Sequence, residues 1–464
     1  MSWIAGTLEV ASKVRYGLTT RGCPIFRFVP YDKRYAPFAV GSSIRDFSTN
    51  VHAIIEPSEG GKTSMPKGSI VQLLGAPSAR TEQTMLLMTY AYDSKKEFRT
   101  ILPSTLASPS SELRKEVTGF TFHIDPPGCK DVDDAFTFQR EGQGWRVHIH
   151  IADVDAWIKE ASPLDKQARK KASTFYSIEG QALAPLFPPN VSEESASLLP
   201  GSKKLAVSLS FHWTPGFAAE PRDFVWARTT IQTERSFTYE EADKEVDTVP
   251  ELAALRELAQ ALGQEEFSPT DSHTWVQALM ILYNEAAGSL LRQNKVGILR
   301  RHSAKKLEKF QAIGMSSIPM AAAEYVLADE ENVRHGGLNL ESYAYASSPI
   351  RRYCDLVNQR IIKRLMDEGQ PSASAPTKEL VDELNRRQKQ EKSFTRDLFF
   401  MGVLSSKDPV QGIAMSEKRV WIPAWKRAIT VRNNALTVGT SYTITWYENK
   451  QLPHWKDRIV FRAV

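Results

Sequence analysis

The sequence predicts an α+β chain in three parts: a small N-terminal β-barrel, a central mixed domain and a small β-rich C-terminal domain. Three observations predict it. Short apolar runs of strand length, broken by Gly, Pro and Asn, fill the first part. Long segments of helical period lie between Trp275 and Arg396. Short β-type runs return after Phe399. The expected boundaries are 1–110, 111–398 and 399–464.

The N-terminal part contains the runs Thr7–Val10 and Pro24–Val29. Aromatic and basic residues interleave through it: Arg15, Tyr16, Arg21, Phe26, Arg27, Phe28, Tyr31, Lys33, Arg34 and Tyr35. Five-stranded OB barrels present such a face to single-stranded nucleic acid, with rings under bases and cations along phosphates. The same rings could equally fill the core of a small barrel. Ser58–Gly68 reads as a polar loop. From Gly119, the residues Phe120, Phe122 and Ile124 alternate with Thr121 and His123, as in a strand. Ala135–Gln139 and Trp145–Ala152 read as a hairpin closed by Glu141–Gly144. Trp275–Asn294 has helical spacing and stops near Gly297. Ser348–Glu368 reads as a helix with Ser348 as cap, Pro349 in the first position and Gly369 after its end. Gln370–Pro376 reads as a loop. Thr377–Arg396 reads as a strongly basic helix facing solvent. In the tail, Val420–Ile422, Ala428–Val431, Ser441–Trp446 and Ile459–Phe461 read as strands of a second OB-type barrel.

Composition is that of a soluble globular protein, with 42% hydrophobic and 24% charged residues. No apolar run is long enough for a membrane-spanning helix, and the first residues lack the pattern of a secretory signal. Cys23, Cys129 and Cys354 are three in number and far apart, which argues for a reducing, intracellular (cytoplasmic) setting and against disulfides or a structural zinc. The net charge is +5, but residues 1–50 carry +4 and residues 401–464 carry +6, leaving −5 between them. Basic ends around an acidic middle suit a polyanionic partner.

Two segments carry chemistry. The first is Asp125-Pro-Pro-Gly-Cys-Lys-Asp131-Val-Asp133-Asp134, directly after a predicted strand. Pro-Pro-Gly enforces a tight turn that can fold Asp125 back onto Asp131, Asp133 and Asp134. Packed carboxylates repel unless a cation lies between them. Oxygen donors without His or Cys point to Mg²⁺ or Mn²⁺. A calcium loop starting at Asp131 would need Gly and Glu where Phe136 and Gly142 stand, so that reading fails. A solvated acidic turn remains the alternative on spacing alone. The second segment is Ser348-Pro-Ile-Arg351-Arg352-Tyr353-Cys-Asp355. It places two arginines in a predicted first helical turn, where cations oppose the helix dipole, so an external phosphate or a partner carboxylate such as Asp355 is expected.

Together these segments resemble the catalytic domain of the ribonuclease II (RNB) family of exoribonucleases. Ile124-Asp125 through Asp131-Val-Asp133-Asp134-Ala135 matches the family's aspartate motif, and residues 348–356 match its Ser-Pro-Ile-Arg-Arg-Tyr-x-Asp-Leu motif. His150–Val154, Leu164–Tyr176, Ser195–Leu205 and Arg334–Leu338 resemble further blocks in family order. The resemblance covers about 112–370, and Arg15–Pro30 is similar to a cold-shock domain. It implies Mg²⁺-dependent, processive 3′→5′ hydrolysis of single-stranded RNA to nucleoside 5′-monophosphates. It implies metal ligation by Asp125 and Asp134 with Asp131 assisting, and a chemical step that depends most on Asp133. It further implies phosphate contact by Arg351, with Arg352 beside it, and base stacking by Tyr176. No membrane partner is implied. The chain departs from many members at Tyr345 and Gln359, where they carry His, and its segment before the catalytic region is short. The same fold could serve a non-catalytic RNA-binding protein, and the aspartates alone permit a DNA exonuclease.

Overall fold

The computed structural model describes residues 3–58, 65–92, 113–216, 222–263, 267–302, 323–368, 375–406, 408–432, 435–449, 452 and 458–464. Strands β1 (Ile4–Leu8), β2 (Ile25–Pro30), β3 (Phe38–Gly41), β4 (Val51–Ser58) and β5 (Lys67–Gly75) close into a barrel in the order β1-β2-β3-β5-β4. Alternation decides which rings face inward. Phe26 and Phe28 are fully buried with Leu8, Val40 and Ile55, so these two fill the core, while Tyr16 and Tyr35 remain exposed. A side chain at Gly6 would meet the Val29 carbonyl and lie 2.7 Å from the Phe28 ring. Gly6→Ala is therefore expected to destabilise the barrel by about 1–3 kcal/mol, read as a lowered unfolding midpoint. The loop predicted at Ser58–Gly68 lies partly outside the described residues, and its last two residues belong to β5.

Helix α1 (Ala79–Tyr90), which the sequence reading missed, starts at a capping box between Ser78 and Thr81. The central sheet has seven strands: β6 (Lys115–Glu116), β7 (Thr121–Ile124), β8 (Asp134–Glu141), β9 (Gly144–Ala152), then β12 (Lys204–Trp213), β13 (Arg222–Ile231) and β14 (Arg235–Phe237). Their order is β14-β7-β8-β9-β12-β13-β6. Between β9 and β12 lie α2 (Pro163–Lys171) and the small pair β10 (Phe175–Tyr176) and β11 (Ala182–Ala184). The predicted hairpin forms with Glu141 opposite Gly144. One sheet face, with Phe122, Phe136, Ile149 and Leu209, packs against α3 (Tyr239–Glu245), α4 (Pro250–Ala261) and α5 (Ser272–Gln293). On the other face a buried polar ladder crosses the strands. The Thr121 and Thr137 hydroxyls lie 2.6 Å apart, Thr137 is 2.9 Å from His150 Nε2, and His150 Nδ1 is 2.6 Å from the Ser208 hydroxyl. Burial holds the His150 imidazole well below its ordinary pKa, so it joins this ladder as a neutral ring.

The short pair β15 (Ile298–Arg301) and β16 (Glu324–Leu327) precedes helices α6 (Tyr353–Glu368) and α7 (Lys378–Ser405). Two expectations change here. Helix α6 starts at Tyr353, five residues later than Ser348. The segment before it is pinned instead to residues 172–174: Thr174 N–H donates to the Arg351 carbonyl at 2.9 Å, and Tyr353 N–H to the Ala172 carbonyl at 2.8 Å. Helix α7 does not face solvent throughout. Val381, Leu384, Arg387, Phe394 and Asp397 are buried, because its apolar stripe lies between the central domain and the two flanking β regions. The loop predicted at Gln370–Pro376 lies mostly outside the described residues.

The C-terminal strands β17 (Val410–Ala414), β18 (Arg419–Ile422), β19 (Arg427–Thr430), β20 (Ser441–Glu448) and β21 (Ile459–Ala463) form one sheet in the order β19-β18-β17-β20-β21. It curls far enough for Val431 to bridge Phe461. One apolar cluster joins this sheet to α1, the N-terminal barrel and Phe175 next to Tyr176. An ion pair between Arg458 and Glu82 connects β21's edge to α1. No helix among the described residues is long and apolar enough to cross a membrane.

Candidate active site

The aspartates are placed by the edge of the central sheet. Strand β7 runs beside β14, with Ser236 opposite His123, and ends as Asp125 N–H donates to the Phe237 carbonyl at 3.0 Å. The following turn needs Gly128, whose φ is +76°. The chain then returns through buried Val132. Its N–H donates to Ser197 Oγ at 3.0 Å, and its carbonyl accepts from Leu198 N–H at 3.0 Å. Asp134 opens β8 opposite Ile151. One turn and one neighbouring segment thus bring all four carboxylates to the same end of the sheet.

Each carboxylate is held differently. Asp125 Oδ2 lies 2.8 Å from His123 Nδ1. Asp131 Oδ2 accepts the Tyr176 hydroxyl at 2.6 Å. Asp133 is 4% exposed; its Oδ1 accepts Ile350 N–H at 2.9 Å, and its Oδ2 lies 3.2 Å from Arg351 Nε. Burial pushes the Asp133 carboxyl up to about 7 despite the opposing pull of Arg351 and the Ile350 N–H. Burial, then Asp125 and Asp133, push Asp134 well above the usual carboxylate range. Burial, then Asp125 and Asp131, likewise raise the Cys129 thiol, which keeps it protonated and poor as a nucleophile.

A contrast lies nearby. Asp153, Asp155 and Asp165 are also substantially buried, yet Lys363 and Arg360 pair with them at 2.7–3.1 Å, and these two cations hold Asp155 below its ordinary pKa against burial. The cluster at Asp125–Asp134 instead keeps an excess of negative charge. Its donors are hard oxygens, which fits a divalent cation such as Mg²⁺ or Mn²⁺. Among the described residues, no three His, Cys, Asp or Glu side chains converge as a closed ligand set. The donors fit such an ion in charge and chemistry.

The two arginines separate. Arg351 lies in the turn before α6, with its side chain 48% exposed and facing Asp133. Arg352 is turned the other way. Its Nε and Nη2 donate to both oxygens of fully buried Asp355 at 2.9 and 2.8 Å, and its guanidinium lies 4.0 Å from the Tyr345 ring centre. Asp355 also accepts Ser348 N–H at 2.8 Å. The geometry therefore gives Arg352 an internal pair with Asp355, the partner carboxylate that is the alternative to an external phosphate. The dipole argument does not apply, because both arginines precede the first helical turn. The two positions where His was expected are structural. Tyr345 carries Arg352, and buried Gln359 donates to the Ala152 carbonyl at 2.8 Å.

Three nearby residues escaped the sequence reading. Tyr239 stacks on His273 with ring centres 3.5 Å apart, and its hydroxyl is made less acidic by burial, then by Asp125 and Asp134. His123 and Ser236 stand behind Asp125. His123 and Asp125, two apart at a strand end, share one face, and that spacing could have shown the contact.

A family model described as "RNB domain" matches residues 112–268 and 314–368. An uncharacterised ribonuclease from Synechocystis sp. is 26% identical over 303 residues, 57% of this chain and 45% of that protein, so the chain spans about half the length of this relative. Mycoplasma genitalium RNase R in complex with ribose-methylated single-stranded RNA shares the fold, with a TM-score of 0.76 over 100% of this chain and 90% of that one, at 14% identity. Yeast Ssd1, a pseudonuclease, shares it too, with a TM-score of 0.70 over 93% of this chain and 65% of its own, at 19% identity. With both of its signature segments meeting at Asp133, the chain belongs to the RNB-domain family.

Proposed function

We propose that this chain is a hydrolytic 3′→5′ exoribonuclease that degrades single-stranded RNA processively to nucleoside 5′-monophosphates with Mg²⁺, Mn²⁺ serving in its place. The observation that carries this reading is the meeting of the aspartate turn and the arginine turn at Asp133. Asp125, Asp131 and Asp134 would hold the ion. Mg²⁺ bound there would acidify a water and neutralise charge building on the phosphate. Arg351, open to solvent, grips a non-bridging phosphate oxygen with its planar fork. Asp133 is tethered through Oδ1, so Oδ2 stays aimed at the Arg351 side. There it can orient the attacking water or take its proton. Tyr176 would stack on a terminal base, with its hydroxyl anchored on Asp131. The basic ends, +4 over 1–50 and +6 over 401–464, would guide the RNA backbone.

The test is release of mononucleotides from a 3′-labelled single-stranded RNA. Release is expected with Mg²⁺ and is expected to stop on adding EDTA. Metal-independent release would contradict the proposed ion. A matched DNA strand should be degraded far more slowly; equal rates would remove the RNA preference. The second reading is a non-catalytic RNA-binding protein. It rests on the shared fold of a pseudonuclease. RNA binding without turnover in either Mg²⁺ or Mn²⁺ would establish it.

A further inference from the structure

We infer that His123 positions Asp125 for the cation, as a buried relay from Ser236 through the imidazole to the carboxylate. The inference rests on the metal-dependent reading above and adds a residue that sets how tightly the ion is held. His123 is 3% exposed, and both of its ring nitrogens are engaged. An ionised carboxylate only accepts hydrogen bonds, so Nδ1 carries the hydrogen that reaches Asp125 Oδ2 over 2.8 Å. Nε2 faces the Ser236 hydroxyl at 2.7 Å. The β7–β14 register places Ser236 directly opposite His123. The backbone of Asp125 is tied to the same strand through the Phe237 carbonyl. Main chain and side chain of Asp125 are therefore both referenced to β14.

This matters because Asp125 stands just beyond the end of β7, where a carboxylate can choose among rotamers. The imidazole contact at Oδ2 selects one of these rotamers. The lone-pair direction is then set before any ion arrives. Asp131, a second proposed ligand, is tethered to Tyr176, which is only partly buried and is expected to meet substrate. His123 is buried between Ser236 and Asp125. It is a positioning residue, and hydrogen-bonded partners of ligating groups commonly govern affinity by about 10–100-fold.

Titration calorimetry of the metal-free full chain with Mn²⁺, without RNA, tests this. His123→Leu is expected to weaken Mn²⁺ binding by about 10-fold or more. His123→Asn can place an amide N–H where Nδ1 stood and is expected to recover most of the affinity. Ser236→Ala, which removes only the outer hydrogen bond, should give a smaller loss. If His123→Leu fails to fold, wild type against His123→Asn and Ser236→Ala carries the test, with wild type expected to bind Mn²⁺ most tightly. Unchanged Mn²⁺ affinity in folded His123→Leu, or equal affinities across the remaining set, would overturn the positioning role while leaving the metal reading intact. A wild-type chain that binds no Mn²⁺ would overturn both.

Discussion

Asp133→Asn is expected to reduce mononucleotide release by about 10³-fold or more while leaving RNA binding in place and making the metal-free fold more stable at neutral pH. Asn keeps the Oδ1 acceptor for the Ile350 N–H and removes a buried charge. The sign follows from the raised carboxyl. With a native pKa of about 7 against an ordinary 3.8, the folded chain holds a proton that the unfolded chain has lost between those values. The stabilisation from that proton is fully present below the unfolded value and is lost as pH rises through about 7. At about 1.4 kcal/mol per unit, the advantage of Asp133→Asn should grow to at most about 4 kcal/mol near pH 8 and be small near pH 4. Denaturant unfolding of EDTA-treated protein at several pH values measures it. A variant that keeps the wild-type rate, or one less stable than wild type near pH 8, would contradict this assignment of Asp133. Burying a carboxylate that the fold alone would rather protonate is the kind of local cost that active sites carry.

Arg351→Ala should lower kcat by about 10²–10³-fold with a modest change in KM, because a long RNA keeps its other phosphate contacts. Arg351→Lys should recover part of the rate, since Lys restores the charge and not the planar fork. Arg352→Ala should behave differently. It strands fully buried Asp355 without its bidentate partner, and removing one member of a buried pair costs about 3–5 kcal/mol. Its defect should therefore appear first in the unfolding midpoint, and any loss of activity should follow the loss of folded protein. Steady-state kinetics and denaturation on the same preparations separate the two arginines. A fully stable Arg352→Ala with a lowered kcat would mean that both guanidiniums serve the substrate.

The difference between those neighbours shows where sequence stopped being informative. Local signals were readable: the turn at Pro126–Gly128, the hairpin closed at Gly142, and the strands at 419–422 and 441–448 each depend on residues close in the chain. Both signature segments were readable as well, because their residue types are set by chemistry. The outcomes that sequence left open depend on distant partners. Ser348 looked like a helix cap, but Asp355 takes its N–H and residues 172–174 hold the turn, so α6 begins later. Basic α7 looked solvated, but its apolar positions meet elements far away in sequence. For Phe26 and Phe28, base stacking and core filling are equal alternatives in sequence, and barrel closure turns both rings inward. His123 read as one residue of an alternating strand, and only the parallel pairing with β14 gives it Ser236 on one side and Asp125 on the other.

The carboxylates at Asp125–Asp134 are expected to form a working hydrolytic site. A time course with single-stranded RNA labelled at its 5′ end, in Mg²⁺, with wild type and Asp133→Asn side by side, tests it most directly. Shortening from the 3′ end is expected, with nucleoside 5′-monophosphates as the released product and no shortening by the variant. RNA that is bound but stays full length in both Mg²⁺ and Mn²⁺, or equal shortening by the variant, would contradict it.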